Sequence, residues 1–369
     1  TASGFAACGK LFSSLFGVKY LTAMIISAIV IVAYTTLGGF LAASTTDFIQ
    51  SIIMSVALIV VLIFGVETAG GIGAVIHNAS ELPGYLSMTL SYDVNTGKAA
   101  PYSALTIVST AAWGLGYFGM PHILLRFMAI EDEKKLKLSR RVATIWVVIS
   151  LFVAVFIGVI GYTMSKVGAL EMLTGSNSET IIVKISALLS QHGVIFALLA
   201  GVILAGILAS TMSTSDSQLL AASSAVSSDI LGAFRKDSSN KNGSMAAARI
   251  TLLVISVVAA FIARNPDSSV FAIVSFAWAG FGAAFGPVVL FSLFWKRTSK
   301  WGALAGMVCG GSMVFIWKYL IRPLGGIWNI YELLPAFLIA CAAIVIVSLL
   351  TPKPSKEIEE EFDRVAQMK

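Results

Sequence analysis

The sequence predicts an all-α fold, polytopic in a membrane, and three observations carry that expectation. Apolar residues make up 57% of the 369 and charged residues only 12%, where soluble domains carry about 25% charge. Charge-free runs of the length a bilayer demands, roughly 20 residues, recur along almost the whole chain. The third observation is WGLGYFGMPHILLR at 113–126, long enough to take part in a span yet unsuited to lipid. Its glycines at 114, 116 and 119 let backbone or ligand approach closely, and Pro121 removes a donor from the preceding turn. Freed backbone groups at membrane depth are tolerated only where protein or a water-filled cavity satisfies them. The run therefore reads as a cavity wall.

Taken in order, residues 1–16 form most of one apolar helix, and 21–43 and 48–66 are the first complete spans. Residues 67–101 are rich in glycine, asparagine and serine and read as a long outer loop with a short interfacial helix near Ile72 to Asn78. Further spans are expected at 102–125, 142–165 and 193–215. Between the last two, SETIIVKISALLSQ is amphipathic and too short to cross, so it reads as a surface or partly re-entrant helix. The windows 246–263, 268–295, 301–317 and 333–350 complete the set, with Arg249 able to snorkel from one end. Nine complete spans and a partial first helix make residues 1–350 a single transmembrane domain. Residues 351–369 form a polar tail, expected as a short cytosolic helix. Thr1 stands where a natural chain would carry methionine, so an earlier start is expected.

Charge sets the orientation. With 268–295 descending to the cytoplasm, seventeen of the 25 basic residues fall in the loops 41–47, 126–141, 232–249 and 296–300 or in the tail. The positive-inside rule selects this arrangement, which puts the C-terminus in the cytoplasm of a multi-pass protein of the inner (plasma) membrane. The net charge of +6 is thereby a topology signal. No basic block interleaved with aromatics suggests nucleic acid, and no obligatory protein partner is implied. Cys8, Cys309 and Cys341 are scattered in apolar segments and outline neither a disulfide framework nor a metal site. No nucleophile–base pair, phosphate loop or metal-ligand spacing is visible, so an enzyme is not expected.

Four places carry chemistry. Trp113 and Tyr117 offer polar aromatic atoms on the cavity wall ahead of Pro121, and His122 reads as a satisfied polar residue at its mouth. In AGILASTMSTSDSQ, the residues Ser210, Ser213, Thr214 and Ser217 follow i, i+3, i+4, i+7 and make one hydroxyl stripe. Such neutral hard oxygens suit a small monovalent cation, while the bland reading has them bonding back to their own i−4 carbonyls. Asp216 closes the stripe as a functional candidate or as a hydrated helix end. Asp47 in ASTTDFIQ reads as a cap for a helix starting at Phe48, with Thr45 and Thr46 as alternatives, or as a ligand for a departing cation. Finally, AWAGFGAAFGPVVLF at 277–291 offers a small-residue face and Pro287, which suits close packing and a bend.

These segments carry a resemblance. YTTLGGFLAASTTDFIQ, WGLGYFGMPHILLRFMA, ASTMSTSDSQLL and SFAWAGFGAAFGPVVLF occur in the order found in the sodium/solute symporter family, and they are most similar to its sodium/proline branch. The likeness runs from the first residues into the tail, with a longer outer loop around 86–98. It implies a LeuT-like core of inverted repeats, with substrate and sodium bound midway across the bilayer. It implies, too, that sodium is co-transported with a small-molecule substrate, proline foremost, and that the lipid bilayer is the surrounding medium. Residue by residue, Trp113, Tyr117 and Pro121 match positions at or near a proline site and its gate. Ser213 and Thr214 match paired hydroxyl ligands of a sodium site to which Ser210 adds its carbonyl, and Asp47 matches an acidic position linked to sodium. Asp216 departs from that branch, leaving a further cation site, a proton site or a solvated helix end open.

The family's first broken helix and the spans beside it have no counterpart here, so the chain is expected to hold half of each site and not to transport alone. Pantothenate, another carboxylate or a sugar remain alternative substrates. A symporter-like sensory domain would need a long cytosolic extension, and a channel would need repeated polar rings.

Overall fold

A computed structural model describes residues 1–231, 241–267 and 269–367. Arg235, Lys236 and Lys369, and the first half of the loop expected between 232 and 249, lie outside them. Among the described residues the chain is helical apart from two four-residue strands, β1 (Leu90–Asp93) and β2 (Lys98–Pro101), which pair in one small sheet. Among the described residues eight helices are long and apolar enough to cross a membrane, one fewer than the nine complete spans expected. In hydrocarbon a helix satisfies every internal backbone group, which is why apolar length alone announces these elements.

The chain divides into two compact units. The first comprises Thr1–Leu86, Tyr92–Ala99 and Ile130–Ile273. It contains α1 (Ala2–Phe16), α2 (Tyr20–Thr68), α3 (Ile72–Ser80), α6 (Leu136–Lys166), α7 (Ile181–Leu189), α8 (Val194–Ser224) and α9 (Lys241–Ile262). Here α3 and α7 are short helices at the two places where short, non-spanning helices were expected. Two apolar cores organise the unit. One gathers Val61, Ile157, Ile160, Ile185 and Ile203 from α2, α6, α7 and α8, and the other gathers Phe5, Met24, Ile31, Leu219 and Leu252 from α1, α2, α8 and α9.

One expectation about α2 is corrected. An inner loop was expected at 41–47, but the helix is continuous except at Gly39, whose φ of 63° and ψ of −170° make a sharp kink. Only glycine adopts that backbone region freely. Spans Tyr20–Leu41 and Ala43–Thr68 are thus joined by a bend in place of a loop. Asp47 sits inside the second span, so it is not the N-cap of a helix starting at Phe48.

The second unit comprises Ser87–Ser91, Ala100–Ala129 and Val274–Lys369. Its elements are α4 (Ala104–Ala111), a 3₁₀ segment (Ala112–Gly119), α5 (Pro121–Met128), most of α10 (Val270–Phe294), α11 (Lys300–Ile316), α12 (Leu333–Leu350) and the tail helix α13 (Lys356–Gln367). The stretch expected as a span at 102–125 is therefore two eight-residue helices separated by 3₁₀ turns, with Pro121 opening the second. Proline fits a first helical position, where its missing N–H costs nothing. Pro287 lies within α10, and α11 runs on through a π turn at Trp317–Ile321. Glu332, almost fully buried at the start of α12, pairs with Arg322 at 2.7 Å and stands 3.9 Å from Lys318. All three cysteines are free.

Candidate functional site

Two polar constellations stand out, one in each unit. In the second unit the 3₁₀ segment lies directly on the backbone of α10. A Cβ on Gly116 would run into the indole of Trp278, and a Cβ on Gly282 would stand 2.7 Å from Gly116 Cα. The missing side chains are what allow this approach, so the glycines of both sequence motifs serve one contact. Across it Trp113 stacks on Trp278 with centroids 5.3 Å apart, and Tyr117 meets the edge of Trp278 at 4.7 Å. The Trp278 Nε1–H donates to the Trp113 carbonyl at 2.9 Å, replacing a partner that an α-helix would have given that carbonyl.

Tyr331 completes the wall. Its ring lies parallel to Trp113 at 6.1 Å, its hydroxyl donates to the Ser275 carbonyl at 2.6 Å, and its amide donates to the Ser109 hydroxyl at 3.1 Å. Tyr117 is half exposed. Such a wall presents ring faces with few fixed charges, which suits a small apolar zwitterion or neutral solute. Pro121 is half-buried and starts α5, holding the end of the 3₁₀ segment in place.

In the first unit α8 carries the hydroxyl stripe. Ser213 Oγ and Thr214 Oγ1 both donate to the Ser210 carbonyl, at 3.2 and 3.3 Å, and Ser217 Oγ donates to the Ser213 carbonyl at 2.8 Å. The back-bonding reading thus describes the observed hydrogens. It also turns the hydroxyl lone pairs away from the helix, where a cation would meet them. The Ser210 carbonyl, already accepting from two hydroxyls, joins such a site only if they rotate.

Asp216 is fully buried, so the hydrated helix end is corrected: its place on α8 faces the interior of the unit. Its Oδ1 lies 3.3 Å from Ser217 Oγ, whose proton goes to the nearer Ser213 carbonyl. Across the kink in α2, the phenol of Tyr34 hydrogen-bonds Thr46 and lies within electrostatic reach of the carboxylates of Asp47 and Asp216. The chain fold therefore brings together an acid from α2 and an acid from α8 around one phenol. The four residues Ser210, Ser213, Thr214 and Ser217 keep their common helix face beside it.

Sequence reasoning missed Trp278, Tyr331 and Tyr34. Trp278 had a signal, an indole amid glycines and alanines where packing alone would favour aliphatic residues. The two tyrosines had none, since each depends on a partner far away in sequence. His122 lies on α5 and is half-buried. Among the described residues no group of three or more His, Cys, Asp and Glu side chains could hold a metal ion.

Comparison with known proteins places this geometry in context. The family model described as the sodium:solute symporter family matches residues 1–310. The osmoregulated proline transporter OpuE of Bacillus subtilis is 38% identical over 96% of this chain and 68% of its own length. A sodium/proline symporter of Haemophilus influenzae is 40% identical over 98% of this chain and 70% of its own. A solved Na⁺-coupled sialic acid symporter superposes with a TM-score of 0.72 at 16% identity, covering 96% of this chain and 74% of that one, and that likeness speaks for the fold. The profile covers most of the chain and the curated relatives nearly all of it, so this chain belongs to the sodium:solute symporter family.

Proposed function

We propose that this chain belongs to a sodium-coupled symporter of L-proline and forms a multi-pass membrane domain whose tail is cytoplasmic. The observation that carries this reading is the run of relatives named as sodium/proline symporters or proline transporters, at 36–40% identity over nearly the whole chain. Two features of the molecule agree with it. The stacked wall of Trp113, Trp278 and Tyr331 with Tyr117 at its edge offers ring faces for a pyrrolidine, and the 3₁₀ turns offer backbone groups for a carboxylate or ammonium. The stripe of Ser213 and Thr214, with Ser210 behind it, offers neutral oxygens for sodium, and the pair Asp47 and Asp216 offers a second, charged place for a cation.

In this reading sodium enters first and is held by the hydroxyl lone pairs, which organises the substrate pocket. Substrate then favours closure on the outer side and opening on the inner. Each sodium carries about 2.3 kcal/mol per 100 mV, which supports on the order of tenfold accumulation or more of a zwitterion. The test is uptake of labelled proline by cells lacking other proline carriers, with the protein expressed from its complete reading frame. Sodium-dependent uptake, displaced by unlabelled proline and not by pantothenate, sugars or unrelated carboxylates, is the expected result. Sodium-dependent uptake displaced best by another solute would transfer the substrate assignment, and proline uptake indifferent to sodium would end the coupling assignment.

A further inference from the structure

The tail helix α13 sets Ile358, Phe362 and Val365 at i, i+4 and i+7 on one face, while Glu357, Glu359, Glu360 and Asp363 occupy the rest. Ile358 and Val365 are more than half exposed. A water-facing helix has no reason to keep such a stripe open. Five residues, 351–355, separate the helix from the end of α12 at Leu350, and α12 finishes in exposed, lipid-type side chains, Leu349 and Leu350. It is therefore tethered within one short turn of the bilayer surface.

Its direction is fixed by an ion pair. Asp363 meets Lys296 at 2.6 Å, and Lys296 belongs to the turn between α10 and α11. Arg297 of the same turn donates to the Thr351 carbonyl at 2.7 Å, so the ends of three spans are drawn together at this face. Asp363 lies about 10 Å along the helix axis from Lys356 at 1.5 Å per residue. A helix projecting straight into water would carry Asp363 out of reach of Lys296, so α13 runs across the membrane face. Glu359 also acts on Lys296, so the acidic side beside the apolar stripe is the side turned to the span ends. A twelve-residue helix is marginal in water alone, and an exposed ion pair adds little. Burial of the stripe supplies what is lacking.

We propose that α13 is an interfacial helix: Ile358, Phe362 and Val365 lie in the headgroup and upper acyl layer of the protein's own bilayer, and the Lys296–Asp363 pair holds it beside the α10–α11 turn. Low overall hydrophobicity with one strong apolar face is the signature of such a helix. The occupant of the stripe is lipid, because the stripe begins where the lipid-facing surface of α12 stops.

The test uses the whole chain in liposomes of phosphatidylethanolamine and phosphatidylglycerol. With Cys8, Cys309 and Cys341 replaced by alanine, spin labels are placed singly at 358, 360, 362 and 365. The proposal expects oxygen to be favoured over an aqueous nickel chelate several-fold more at 358, 362 and 365 than at 360. Equal access of nickel to all four sites overturns it, and so does shielding of the three from both reagents, which would mean a protein partner or a second copy. Hydrogen exchange of the unmodified chain gives an independent reading. Residues 356–367 should be protected in liposomes, and Phe362→Glu should abolish that protection while Glu360→Gln keeps it. Equal protection in the wild type and Phe362→Glu would also overturn the assignment.

Discussion

The indole nitrogen of Trp278 donates to the main-chain carbonyl of Trp113 at 2.9 Å while the two rings stack. One side chain thus ties into the main chain of the 3₁₀ segment and builds the wall in which that segment lies. Trp278→Phe keeps an aromatic face and removes the donor. The expected cost is about 1 kcal/mol, or roughly a fivefold rise in the half-saturating proline concentration. Gly116→Ala is expected to do more, because its methyl would displace the indole itself. Transport should fall severely while the protein still inserts, as measured by uptake normalised to membrane-embedded protein.

Ser213→Ala with Thr214→Ala removes two candidate oxygens and two back-bonds to one carbonyl. Back-bonds of this kind contribute little to a membrane helix, so folding should barely change. The sodium concentration needed for half-maximal uptake should rise at least about tenfold, the equivalent of 1.4 kcal/mol. Unchanged sodium dependence would remove the stripe from the mechanism.

Asp216→Asn preserves shape at a fully buried position and takes away one of the two charges within electrostatic reach of Tyr34. If the pair helps to hold a cation, sodium affinity falls with little loss of folded protein, and Asp47→Asn acts in the same direction. Tyr34→Phe should reproduce part of the effect. Wild-type sodium dependence in all three would leave this cluster a packing feature.

Glu332 is the single buried carboxylate between Arg322 and Lys318. Glu332→Gln leaves both cations facing a neutral group. Breaking a fully buried pair costs about 3–5 kcal/mol, and exposed pairs cost less than about 1. Both cations here are partly exposed, so an intermediate loss, on the order of 2 kcal/mol, is expected and would be read as a lower unfolding temperature in detergent.

Glu179 accepts from Lys10 at 2.7 Å, from Ser269 Oγ at 2.7 Å and from the amide of Val270 at 3.3 Å. Partial burial opposes its charge, but these hydrogen bonds outweigh it and hold the carboxyl below the ordinary glutamate value of 4.5. A carboxyl with a lowered folded value stabilises the native state fully above its unfolded value, and that contribution disappears as pH falls through the folded one. The segment carrying Glu179 should therefore loosen on acidification below about pH 4.5, detected by limited proteolysis near residue 180. Glu179→Gln should be looser at neutral pH and should lose the acid-dependent step.

The spans were legible in the sequence because a bilayer accepts few alternatives: an apolar run of sufficient length must be helical or leave backbone groups unsatisfied. The run before Pro121 was legible as a cavity wall, but 102–125 was expected as one span, and its division into two short helices around 3₁₀ turns was not. The inner loop at 41–47 and the cap at Asp47 were misread. Thr45, Thr46 and Asp47 look like a helix start, but Gly39 takes the whole change of direction six residues before Thr45, and helix propensity then carries through the threonines.

By itself, the sequence determined eight runs long and apolar enough to cross a membrane and which face of α8 carries hydroxyls. Each of these is a property of residues within a few turns of one another. Tertiary structure alone decided that Trp278 and Tyr331 wall in Trp113, that Asp216 is buried rather than hydrated, and that Tyr34 lies within electrostatic reach of acids from two helices. Apart from Tyr34 with Asp47, those are pairings across about 160 to 220 residues. Local periodicity carries no information about them, because they are set by how helices pack once each has been made.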